Sequence, residues 1–185
     1  MRGMIRSSSP DQAWHGRSHG FLVLSAVTIG ALLAENLLDF PGSVPRMRQL
    51  AGGLPILDAR LWYSSQSVYQ LFDTLGENGR SAYLHLLWSV DLCLPLLFAL
   101  FLAGAMQRGW FRRLAWLPPL AAACDYAENI AITVLLVRYP HHSPTMVLVS
   151  SALTTLKWAG YISSLLLSIT GYLLERRWTR RPAYD

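Results

Sequence analysis

The sequence predicts an all-α integral membrane protein: a bundle of four transmembrane helices, with a short amphipathic helix on the outer side between the first and second spans. Three observations carry this. Of the 185 residues 52% are hydrophobic and only 15% charged, the balance of a polytopic membrane chain and not of a soluble domain. Four apolar runs, residues 20–38, 83–106, 114–137 and 146–174, come close to or exceed the roughly 20 helical residues that a hydrocarbon core of about 30 Å requires. Lys157, the only lysine among the 16 basic residues, lies in the middle of the last run, and a cation at that depth normally faces a bundle interior and pairs with an acid. Residues 1–185 read as a single membrane domain without a separate soluble part.

The first span follows Arg2, Arg6 and Arg17 and ends with Glu35 and Asn36, just before the stop Asp39-Phe40-Pro41-Gly42. A basic start followed by FLVLSAVTIGALLA also fits a secretory signal. The long preceding region and the lack of a small-x-small cleavage site favour a retained span. The outer segment, residues 39–82, opens irregularly through Pro41, Pro45, Gly52, Gly53 and Pro55. Ser64 or Ser65 then caps a helix, SVYQLFDTL, that Gly76 ends. Val68, Tyr69, Leu71, Phe72 and Leu75 give it an apolar face suited to a membrane surface or to the bundle mouth.

The remaining links are short, which predicts antiparallel neighbours. Arg108, Arg112 and Arg113 join the second and third spans, and Arg176, Arg177, Arg180 and Arg181 follow the fourth. The positive-inside rule therefore puts both termini in the cytoplasm, in an inner membrane of bacterial type. The net charge of +5 is accounted for by topology, and nucleic acid is not an expected partner. Trp110, Trp116 and Trp178 flank spans as an interfacial belt. Cys93 and Cys124 form no CxxC pair and read as small packing residues. His85, His141 and His142 lack metal-ligand spacing, so no metal is expected, and the sequence names no cofactor.

Chemistry concentrates inside the spans. Counting at about 1.5 Å per residue from the outer ends puts Asp91, Asp125, Glu128 and Lys157 at one level, roughly 12 to 18 Å deep. Asp125, Glu128 and Asn129 share a helix face by their i, i+3, i+4 spacing. Thr154 and Tyr161 lie on the face of Lys157, and Glu35 with Asn36 closes the cluster outward. Pro95 frees the carbonyl of Asp91 and kinks the helix beside the acid. Three acids against one lysine leave two excess negative charges, which a dry interior holds only with a proton, a bound cation, a basic ligand or water.

These residues lead to a small membrane protein whose acidic and lysine-bearing pocket binds or acts on the polar end of a lipid-like or isoprenoid substrate. Asp125, Glu128, Lys157 and Asp91 are the catalytic candidates. Asn129, Tyr161, Glu35, Arg60 and Arg80 are the substrate-binding candidates, the two arginines as grips for an anionic head group. The alternative use of Arg60 and Arg80 is a surface salt-bridge network with Asp58 and Glu77. Two other functions fit the same pattern: an accessory subunit of a larger membrane complex, whose buried charges only join helices, and a proton-coupled carrier working as a homo-oligomer.

Overall fold

A computed structural model describes residues 10–179, with side chains for 19–177. Arg2, Arg6, Arg180 and Arg181 lie outside the described residues, as do the side chains of Arg17 and Trp178. The described chain is helical throughout, without a strand: α1 (Pro10–Leu37), α2 (Val44–Leu50), α3 (Ser65–Leu87), α4 (Val90–Gln107), α5 (Leu117–Arg138) and α6 (Pro144–Thr179), with single 3-10 turns at Leu57–Ala59 and Arg112–Leu114. Three stretches are long and apolar enough to cross a membrane: His19–Leu37, Ser65–Gln107, which takes in α3 and α4, and Arg112–Arg138. In α6 the charge of Lys157 and the interspersed serines and threonines dilute an otherwise apolar run.

Ser64 caps α3 as expected: its hydroxyl accepts from the Ser67 amide at 3.3 Å, and Ser67 Oγ accepts from the Ser64 amide at 3.1 Å. Gly76, at φ 61° and ψ −173°, breaks the helical geometry in a region only glycine adopts without strain. The helix resumes and runs on to Leu87. The run from 83 to 106 is consequently not one helix. It is interrupted at Trp88 and Ser89, where the Ser89 hydroxyl takes the His85 carbonyl at 2.6 Å and the Trp88 indole donates to Thr133 Oγ1 at 3.0 Å. The two sides of the break face different surroundings. Outward positions of α3 are polar (Gln70, Asp73, Glu77, Asn78, Ser81, His85), whereas Leu92, Leu96 and Leu100 line the outward face of α4.

Two apolar cores flank the charged level. The larger joins α2, α3 and the facing ends of α5 and α6 around Met47, Leu57, Phe72, Tyr83, Leu86, Ile132 and Val147. The smaller joins α4, α5 and α6 around Ala99, Leu102, Ala121, Ala122 and Tyr161. The α5–α6 pair is tight because Gly160 faces Ala121: a Cβ added to the glycine would sit 2.8 Å from that of the alanine. Thr28 is the only fully buried residue in the described side chains of α1. That helix rests on α4 through the Phe21–Phe101 stack, with centroids 5.9 Å apart, and through the Thr28 hydroxyl, 3.5 Å from the Leu97 carbonyl.

Candidate functional site

Lys157 is the hub of the site. Its Nζ lies 2.7 Å from Glu128 Oε2, 2.9 Å from Asp125 Oδ1 and 3.5 Å from Asp58 Oδ1. The lysine side chain is 5% exposed and that of Glu128 0%, so these two charges compensate one another with little help from solvent. The antiparallel α5–α6 register produces the meeting: Ala121 faces Gly160, Asp125 faces Lys157 and Glu128 faces Thr154. Thr154 donates to Glu128 Oε1, which leaves both oxygens of that acid engaged. Asp125 Oδ2 accepts from the Tyr161 hydroxyl at 3.5 Å.

The residue the sequence reading misplaced is Asp58. It is not a surface partner of Arg60; it turns inward and joins the cluster. Three contacts fix it there. The Tyr83 hydroxyl donates to Asp58 Oδ2 at 2.7 Å while accepting from the Leu57 amide at 3.1 Å, and the Trp158 indole donates to the Asp58 carbonyl at 3.0 Å. The segment that follows is stapled to α6 as well. Thr155 donates to the Leu61 carbonyl at 2.8 Å, the Tyr63 amide donates to Ser151 Oγ at 3.0 Å, and the Tyr63 hydroxyl lies 2.6 Å from Ser150 Oγ. Burial, with the Glu128 charge second, raises the Tyr63 hydroxyl above its ordinary pKa, which keeps it a neutral hydrogen-bonding group. The signal for this was the polar row Ser150, Ser151, Thr154, Thr155 in an otherwise apolar helix: Thr154 and Thr155 also bond back to the Ser150 and Ser151 carbonyls, and the row has capacity left for partners from outside the helix.

Asp91 occupies the first turn of α4, not the middle of a longer span. It makes no ion pair with Lys157 among the described contacts, and its buried Oδ2 has no hydrogen-bond partner. Oxygens of Asp58, Asp91 and Asp125 nonetheless converge, all within 4.8 Å of one another. They face a cavity of about 350 Å³ whose wall also includes Glu35, Asn36, Lys157 and Tyr161. Its apolar lining comes from Leu32, Leu86, Leu94, Phe98 and Trp158.

The cavity thus gathers Asp91, Asp125, Lys157, Tyr161, Glu35 and Asn36 from the sequence expectations and adds Asp58. Glu128 is in the cluster but not on the cavity wall. Asn129, although buried, is not on the wall either, and its Oδ1 has no hydrogen-bond partner. Arg60 and Arg80 are elsewhere. Arg60 donates twice to the Pro55 carbonyl, at 2.7 and 3.1 Å, and burial pulls its guanidinium below the ordinary arginine pKa. Arg80 donates to the Phe72 carbonyl at 2.9 Å, at the end of the first half of α3, and covers the Tyr139 ring, whose hydroxyl donates to Asp73. Backbone carbonyls left over at the irregular turns thus engage both cations. Cys93 and Cys124 are free thiols. No protein-family model matches this chain, and no curated protein or solved structure shows a match to it.

Proposed function

We propose that this is a four-span membrane protein whose cavity receives the polar end of an amphiphile dissolved in the bilayer. In this reading α1, α4, α5 and α6 cross the membrane, both termini are cytoplasmic, and the segment from α2 through α3 covers the outer mouth. The supporting observation is the mixed lining. Glu35, Asp58, Asp91, Asp125 and Lys157 share the cavity with Leu32, Leu86, Leu94 and Phe98. A cavity with a large apolar share and a few convergent polar groups suits a ligand that is itself divided in this way. A purely structural charge network needs no cavity beside it.

Roles follow from position. Asp125 both faces the cavity and is held by Lys157 and Tyr161, so it is the group that exchanges a proton with the bound head. Glu128, sealed off and bonded to Thr154, fixes the lysine. Tyr161 and Glu35 contact the head group from either side. The test is a native mass spectrum of the protein purified in mild detergent, compared with Ala59→Trp, which fills the cavity from an exposed lining position. One lipid-sized adduct is expected on the unaltered chain, and none on the variant at equal helical content. An equal adduct on both excludes this cavity. Co-migration of the adduct-free chain with a larger membrane complex favours the accessory role instead.

A further inference from the structure

We propose that Asp58, Asp91 and Asp125 together hold a divalent metal cation, an inference that does not depend on the amphiphile. The three carboxylates come from three separate elements: the 3-10 turn, the first turn of α4 and the middle of α5. Their oxygens lie within 4.8 Å of one another. Oxygen ligands surround calcium at about 2.3 to 2.6 Å, so oxygens on opposite sides of the ion are up to about 5 Å apart. Three oxygens so spaced share a point no more than about 2.8 Å from each, so small side-chain adjustments bring all three to one cation position without moving a helix.

The second observation is Asp91. Lys157 pairs with Glu128, Asp125 and Asp58 but not with this acid, and the buried Oδ2 of Asp91 accepts no hydrogen bond. A carboxylate oxygen so placed is costly unless a cation or donor completes it. Asp91 also lines the cavity, which leaves room for water ligands beside the ion. Charge points the same way. Asp58, Asp91, Asp125 and Glu128 against Lys157 leave an excess of three negative charges if all are ionised, and a divalent ion reduces that to one. The donor set is entirely oxygen, which selects calcium, magnesium or manganese over zinc or copper.

Lys157 then acts as a tethered competitor. It shares Asp125 and Asp58 with the metal, at 2.9 and 3.5 Å, and keeps Glu128, at 2.7 Å, when the metal enters. Removing the ammonium strengthens metal binding, the opposite of what removing a ligand does.

The experiment titrates full-length protein in detergent micelles with manganese alone, following loss of the free-ion paramagnetic resonance signal, with a melting curve for each variant. One manganese per chain is expected, displaced by calcium. Asp91→Asn, which removes no ion pair with Lys157, weakens binding by about tenfold or more while melting near the unaltered protein. Glu128→Gln, which releases the lysine toward Asp58 and Asp125, weakens binding less than Asp91→Asn does, and Lys157→Gln raises the affinity. Absence of saturable binding by the unaltered chain overturns the proposal, as does equal binding by a folded Asp91→Asn variant.

Discussion

Replacing Lys157 with methionine keeps the unbranched stem, shorter by the terminal atom, and withdraws the ammonium from three carboxylates at 2.7, 2.9 and 3.5 Å. Breaking a buried pair by removing one partner costs about 3 to 5 kcal/mol, because the other charge is stranded. A loss of that size is expected for Lys157→Met. Coulomb attraction falls as the inverse of distance, so the contact with Asp58 carries about three-quarters of the attraction of the contact with Glu128. Water weakens it further, since the Asp58 side chain is 13% exposed and that of Glu128 0%. Adding Glu128→Gln to the methionine variant therefore recovers the most, with a coupling of about 1 to 3 kcal/mol, Asp125→Asn comes next and Asp58→Asn last. Asp91→Asn, having no pair with Lys157 to lose, recovers less than any of these three. Unfolding by a denaturing detergent in mixed micelles, followed by helical ellipticity, measures all these quantities in one system. Purely additive losses for Glu128, Asp125 and Asp58 alike would refute the pairing on which the site is built.

Three further outcomes are expected. Gly160→Ala presses a methyl against Ala121, 2.8 Å away, and loses about 1 to 3 kcal/mol in the same assay, with Ala121→Gly restoring most of it. Gly76→Ala forces a side chain into φ 61°, ψ −173° and lowers stability by roughly 1 to 3 kcal/mol without changing the α5–α6 pairing. Asp125→Asn abolishes function in a complemented deletion strain while the purified variant stays folded, losing less stability than Lys157→Met because the lysine keeps Glu128 and Asp58; full activity in both Asp125→Asn and Glu128→Gln leaves the cluster with architecture alone.

What the sequence disclosed, it disclosed through local periodicity. Asp125 and Glu128 sit one turn apart, and Thr154 and Tyr161 flank Lys157 at helical spacing. Their shared faces were legible before any packing was known, and so was the cap at Ser64 and the break at Gly76. Asp58 was not legible, because its partners Tyr83, Lys157 and Trp158 are far along the chain and reach it from an irregular turn that has no period. The interruption at Trp88 and Ser89 was hidden for another reason. Tyr83, Leu86 and Leu87 are buried by protein while Leu92, Leu96 and Leu100 face outward, and apolar residues look alike in both settings. Arg60 and Arg80 lie off the cavity wall and donate to backbone carbonyls, a use of a guanidinium that the sequence does not distinguish from a grip on an anion.

In the four-span reading proposed above, the pairing of Lys157 with α5 bears on how the chain enters a bilayer. Taken singly, α6 brings an ammonium that costs about 2.5 to 3.5 kcal/mol at the centre of a bilayer, and α5 brings two carboxylates with costs of the same kind. Taken as a hairpin joined by residues 139–143, the two helices offset these charges before meeting lipid. Biogenesis is then expected to treat α5 and α6 as one object: a chain ending after Arg138 integrates poorly in a translocon assay, and extending it through α6 restores integration. Equal integration of both lengths would show that each helix enters unaided.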